Sequence, residues 1–214
     1  MDDALRRASD GVFRYPDTPP PRRHQPQGYC AYQSCKPWLR DEFGFRCVYC
    51  LWRECWEANG HHGFGVEHVN PRSTSEEQVV DYDQFVYACN TCNSTRRDVP
   101  LPLNPAAESL VHHLRILADG TVEGLSSAGR DLVDLCRLNR SLLLTARRRI
   151  LTLMAVLQRV NKPQAVQALR DLLAFPIDLP DLAGLRPPDG NARREGIVDC
   201  FFEQRRRGAL PDVY

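Results

Sequence analysis

The sequence predicts an α+β fold, and three observations carry that prediction. Two Cys-x-x-Cys pairs, Cys47-Val48-Tyr49-Cys50 and Cys89-Asn90-Thr91-Cys92, enclose a stretch that alternates apolar and polar residues as a strand does. Two short β-like runs flank Asp119-Gly120, a pair that favours a hairpin turn. From Ser127 onward the apolar positions recur with the helical period. At 214 residues, 43% hydrophobic and 26% charged, the chain is long enough to bury a core and lies near the globular average. That composition excludes a disordered chain. It also excludes a membrane-spanning one, because Ile150–Gln158 is the longest uncharged run in the apolar C-terminal half, far short of a bilayer span. The first residues, Met1-Asp2-Asp3 to Arg6-Arg7, lack the apolar segment of a signal peptide, so a cytoplasmic address is expected.

Three regions follow in order. Residues 1–30, rich in proline and arginine around Pro19-Pro20-Pro21-Arg22-Arg23, predict an extended arm with little packing of its own. Residues 31–105 form the second region. There Pro37–Phe43 reads as a short helix with proline in its first turn, ended by Gly44. Phe64–Val69 reads as a strand that Asn70-Pro71 breaks, and a loop carries Thr74–Glu77. The second cysteine pair leads into a helix over Asn93–Asp98, stopped by Pro100. Residues 106–214 hold the hairpin, 113–117 against 121–125, and then a mostly helical region. Leu132, Leu135 and Leu138 share a face, and Asn139 is placed to cap the next helix. Leu143, Ala146, Ile150, Leu153, Leu157 and Val160 form that helix's apolar stripe. Pro163 opens a helix ending near Ala174, and a proline-rich loop over Pro176–Pro188 precedes a last helix near Arg194–Arg207.

Nine cysteines are an odd number, and without an export signal they do not describe a disulfide framework. Two residues between cysteines let a tight turn aim both sulfurs at one point. Two such turns, 38 residues apart, complete a tetrahedral set, so Cys47, Cys50, Cys89 and Cys92 predict a structural Zn²⁺ site. Cys30, Cys35, Cys55, Cys136 and Cys200 read as small buried apolar residues. Trp38, Trp52, Trp56 and Phe43 read as core around the zinc site.

Between the cysteine pairs stands Val66-Glu67-His68-Val69-Asn70-Pro71, and the second pair ends in Cys92-Asn93. Over Cys47–Arg97, with Asp81–Ala88 leading into the second pair, the chain resembles the HNH endonucleases, whose active site is a ββα-metal finger. A weaker likeness to bacterial HNH proteins covers Pro37–Glu54, the hairpin and Leu138-Asn139-Arg140. The resemblance implies an HNH nuclease finger over 31–105 with a hairpin and helical accessory region over 106–214. It implies that His68 is the general base, which suits an imidazole titrating near neutral pH. Glu67 and Asn93 would hold a catalytic Mg²⁺ or Mn²⁺, both cations that favour oxygen ligands. For Glu67 to reach that cation beside His68, a twist or bulge in the strand is expected. Gln84 stands where the family has an asparagine that orients the histidine through its backbone carbonyl. Arg96 and Arg97 stand where a lysine is common and would contact phosphate.

The implied activity is hydrolysis of phosphodiester bonds in DNA, double-stranded by preference, in a setting of phage defence or a mobile element. A protein partner supplying targeting is a further expectation. The alternative is a non-catalytic zinc-ribbon module that binds nucleic acid or a partner protein. Charge bears on both. Residues 1–53 hold nine basic and six acidic side chains, 54–100 three and eight, and 101–214 sixteen and thirteen, so a −5 finger lies between two +3 flanks. The net charge of +1 excludes a bulk electrostatic binder. DNA would be gripped by arginines of the arm and the helical part. His61-His62 read as an exposed loop, His112 and His113 as structural, and Arg147–Arg149 and Arg205–Arg207 as solvated helix faces.

Overall fold

Helix formation starts earlier than the composition suggests. In the computed structural model, which describes residues 1–70, 80–97, 99–160 and 162–214, Asp2 caps helix α1 (Asp3–Asp10) by accepting from the Leu5 N–H at 2.8 Å. Leu5 is fully buried, Val12 and Tyr15 nearly so, and Tyr15 donates its hydroxyl to the Tyr49 carbonyl at 2.6 Å. The extended stretch behind α1 is equally committed. Gln27 N–H meets the Gly190 carbonyl at 2.9 Å, Ala192 N–H meets that of Gln25 at 3.0 Å, and His24 is fully buried. Residues 1–30 are therefore a packed strap, not the loose arm that their composition predicts. Their arginines supply the reason: Arg22 reaches the Phe85 carbonyl at 2.9 Å and Arg23 the Asp41 carboxylate at 2.7 Å. Charges that composition assigns to water are satisfied inside the protein.

Helix α2 (Lys36–Glu42) has its proline in the first turn, as predicted, and Gly44 turns the chain beyond it with φ +55°. The first cysteine turn then docks on the edge of the sheet that follows, Val48 N–H donating to the Tyr87 carbonyl at 2.9 Å. Strands β1 (Phe64–His68) and β2 (Phe85–Cys89) pair antiparallel in continuous register from Phe64↔Cys89 to His68↔Phe85. Helix α3 (Asn90–Arg96) follows β2 directly, starting before the predicted Asn93. The expected loop at Thr74–Glu77, and Asp98 at the expected helix end, lie outside the described residues.

The hairpin forms as predicted, strand β3 (Leu114–Ile116) against β4 (Val122–Gly124), with Gly120 at φ +84° in its turn. Ser126 caps helix α4 (Ser127–Leu135). Gly129 lets α4 lie on the hairpin, since a Cβ there would sit 2.1 Å from the His113 carbonyl oxygen. Asn139 does not cap helix α5 (Ser141–Val160). Its side-chain amide instead pairs with both the N–H and the C=O of Val122, each at 2.8 Å.

The buried face of α5 is also rotated from the apolar stripe: Leu143, Arg147 and Met154 are inside, whereas Leu153 and Val160 are 45% and 47% exposed. The fully buried Arg147 guanidinium serves the carbonyls of Gly120 and Leu138, and a count of apolar residues cannot anticipate that. Helix α6 (Pro163–Leu173) packs on α5 and α1. The single last helix expected is two, α7 (Glu195–Val198) and α8 (Phe201–Arg206). One buried apolar cluster runs from Leu5 to Val213, and a smaller one joins Phe45, Phe175 and Leu179. Cys35, Cys136 and Cys200 are buried as expected, but Cys30 and Cys55 are exposed. Among the described residues no helix is long and apolar enough to cross a membrane.

Candidate metal centre and its hairpin

The two cysteine turns meet in the interior. Cys47 and Cys50 sit on a turn closed by Cys47 N–H to the Trp52 carbonyl (2.9 Å) and Leu51 N–H to the Cys47 carbonyl (3.0 Å), with Leu51 at φ +58°. Cys89 ends β2 and Cys92 lies in the first turn of α3, so strand and helix present the other two sulfurs. All four are buried, their sulfurs lie within 4.8 Å of one another, and Cys50 Sγ is 3.8 Å from Cys89 Sγ. A tetrahedral ion with metal–sulfur bonds of about 2.3 Å has edges of about 3.8 Å, so the cluster can hold a metal such as zinc. Burial holds the Cys47 thiol well above its usual range, and hydrogen bonding among the thiols does the same for Cys50. Cys89, accepting from its three neighbours, is held below that range. A dication relieves the repulsion that four converging thiolates otherwise carry. The Arg140 guanidinium adds positive charge from outside, 3.6 and 3.7 Å from Cys92 Sγ.

The hairpin beside this cluster carries the other predicted residues. Since β1 is regular through His68, the twist or bulge expected at Glu67 is absent, and successive side chains alternate faces. Glu67 turns towards α3, where its Oε1 pairs with the Arg96 guanidinium. The two are 3% and 2% exposed. Arg96 also donates to the carbonyls of His68, of Val69 at 3.0 Å and of Val99 at 2.9 Å. It is an interior residue and is not available to phosphate, which corrects the expectation for it. Arg97, exposed beyond the end of α3, remains open to solvent. Glu67 Oε2 is buried, with no hydrogen-bond partner among the described residues.

Asn93 lies on the Glu67 side of the hairpin, its Nδ2 donating to the Val66 carbonyl at 3.2 Å. His68 occupies the other face, opposite Phe85. Its ring stands edge-on to Phe85 at 4.8 Å and to Tyr32 at 4.7 Å. Gln84 braces the strand end just past His68: its carbonyl accepts from Val69 N–H at 2.8 Å, and its side chain accepts from Asn70 Nδ2 at 2.9 Å. Elsewhere, His61 is half-buried near Asp178 at 3.4 Å and does not lie in a freely exposed loop.

Two contributors escape sequence reasoning. Tyr32 comes from a short 3-10 turn far upstream of His68, and no spacing links the two. The sulfur contact of Arg140 spans 48 residues, and a basic residue at a helix start carries no signal for it. The structure thus brings the four cysteines into one cluster, joins Glu67 to Arg96 on one side of the hairpin, and leaves His68 on the other. No family model, curated protein or solved structure matches this chain.

Proposed function

We propose that the chain is a metal-dependent HNH endonuclease acting on DNA, with His68 as general base and Glu67 and Asn93 as the cation-binding pair. The observation that supports this reading is the order of β1, β2 and α3 among the described residues. It is stapled at its far end by four cysteines and carries Glu67-His68 at the end of β1 and Asn93 in the first turn of α3. A neutral His68 imidazole accepts a proton from the attacking water, and such a base contributes about 10²–10⁴-fold. Tyr32 and Phe85 limit the tilt of the His68 ring, and Gln84 fixes the backbone beyond it. Glu67 Oε2, buried and without a hydrogen-bond partner among the described residues, and the neighbouring Asn93 suit an oxygen-loving divalent cation. Such a cation would supply charge stabilisation at the phosphate and the departing 3′ oxygen.

The ion pair between Arg96 and Glu67 favours a second reading, a non-catalytic zinc module that binds nucleic acid or a protein. A carboxylate already neutralised by a buried guanidinium has less charge to offer a cation. Plasmid nicking separates the two. With Mg²⁺ or Mn²⁺ the wild type is expected to nick and EDTA to stop it. His68→Ala should slow the reaction about 10²-fold or more. Identical behaviour of wild type and His68→Ala in all three conditions sinks the nuclease reading and leaves the zinc module.

A further inference from the structure

Helix α5 has a second face that no part of the described chain covers. Leu142, Arg149, Leu153, Val156 and Val160 recur at i, i+7, i+11, i+14 and i+18, which at 100° per residue confines them to an arc of about 60°. Leu142 is 84% exposed, and Leu153, Val156 and Val160 are 45%, 50% and 47% exposed. The twenty residues of α5 contain four arginines and no acidic side chain. Arg147 is buried, and Arg148 reaches Asp119 at 3.4 Å. Arg149 and Arg159 are exposed, with no ion pair to any described residue.

We propose that this stripe seats an acidic amphipathic helix of a partner protein, whose apolar seam packs on Leu142, Leu153, Val156 and Val160 and whose carboxylates meet Arg149 and Arg159. The side chains choose among occupants. Leucine and valine alternating three and four apart are the seam of a helix pair, and an arginine within it fixes register by demanding an acid opposite. A second copy of this chain brings arginines against arginines, which repel. Nucleic acid offers phosphates to the arginines but nothing apolar for the four aliphatic side chains. A lipid surface favours a broader apolar face with aromatic residues, and this stripe is narrow and aliphatic.

The test uses the full zinc-loaded chain and a fluorescent helical peptide of about three heptads, with leucine along its seam and glutamate flanking it. Binding is followed by anisotropy beside a counterpart carrying lysine for glutamate, a DNA duplex, and vesicles of phosphatidylserine in phosphatidylcholine. The glutamate peptide is expected to bind and the lysine peptide to bind at least about tenfold more weakly. Leu153→Ser with Val156→Ser, and separately Arg149→Glu, should each weaken the glutamate peptide by about tenfold or more. These positions are exposed, and unchanged circular dichroism verifies that the variants fold. The proposal is overturned if neither peptide binds or both bind equally. It is also overturned if the Ser pair abolishes DNA or vesicle binding but spares the glutamate peptide, or if the chain sediments as a dimer that the Ser pair dissociates.

Discussion

Replacing Arg96 by methionine tests the most informative contact in the hairpin. The substitution keeps an unbranched apolar stem but removes the guanidinium, stranding Glu67 Oε1 and the carbonyls of His68, Val69 and Val99. Both partners are almost fully enclosed, so solvent screening is slight. Removing one partner of a buried ion pair costs about 3–5 kcal/mol, because the surviving charge has no compensation. A buried carbonyl left without a donor adds about 1–3 kcal/mol, less than additively where relaxation admits water. The ion-pair figure alone corresponds to a melting temperature about 6–20 °C lower for a chain of this length. Glu67→Met with Arg96→Met removes both charges, and coupling between the sites should recover part of the loss. The stranded carbonyls keep that recovery incomplete. Urea unfolding of zinc-loaded protein, followed by tryptophan fluorescence at neutral pH, measures each variant. If Arg96→Met unfolds within about 1 kcal/mol of wild type, the pair behaves like an exposed one and the buried-latch argument fails.

Two further outcomes follow from the same structure. Chelation of zinc, or Cys50→Ser, should lower both the metal content and the melting temperature, because the cluster ties β2 and α3 to the first cysteine turn. A native protein with less than about one zinc per chain removes the cysteine-site argument. Glu42, fully enclosed beneath the strap, has its carboxyl pushed above the usual range by burial, against the lowering influence of Arg22 and the His24 N–H. A raised folded-state value means that this group's contribution is fully present below the unfolded carboxyl pKa of about 4.3 and is lost as pH rises through the folded value. Relative to wild type, Glu42→Gln should therefore gain stability on going from about pH 4 to about pH 7. Parallel stability profiles for the two proteins would contradict that assignment.

What the sequence discloses is what short spacing encodes. Each Cys-x-x-Cys turn is four residues of local geometry, and Asp119-Gly120 predicts its hairpin within a residue or two. The proline at the start of α2 and the Phe64–Val69 alternation are legible for the same reason. Three of the failures involve a polar side chain with a distant partner. Arg147 turns α5 because carbonyls at Gly120 and Leu138 need a donor. Asn139 extends the hairpin because Val122 has a free backbone edge. Arg22 and Arg23 draw a proline-rich segment into the interior through Phe85 and Asp41. At the candidate site the residue types and their order along β1 and α3 are readable. The partition of Glu67 and His68 to opposite faces depends on strand regularity, which no motif states.

The engagement of interior arginines also changes where DNA contact is to be sought. Net charge by segment places the available cations in the N-terminal strap and the helical region. Yet Arg22, Arg23, Arg40, Arg96, Arg140, Arg147 and Arg193 are engaged by carboxylates, carbonyls or sulfur. Arg97, Arg130 and Arg137 are exposed and lie outside the α5 stripe. If these three meet phosphates on the proposed DNA-binding reading, log affinity should fall against log salt with a slope of about −3. Arg97→Gln or Arg137→Gln should each flatten that slope by about 1 while leaving the fold unchanged. Arg22→Gln should instead lower thermal stability and leave the slope of the folded fraction as it was, since its charge is already spent on Glu42 and Asp83. A slope that responds to Arg22→Gln and ignores Arg97→Gln and Arg137→Gln would show the strap peeling away to bind DNA, and the packed strap would then be one of two states.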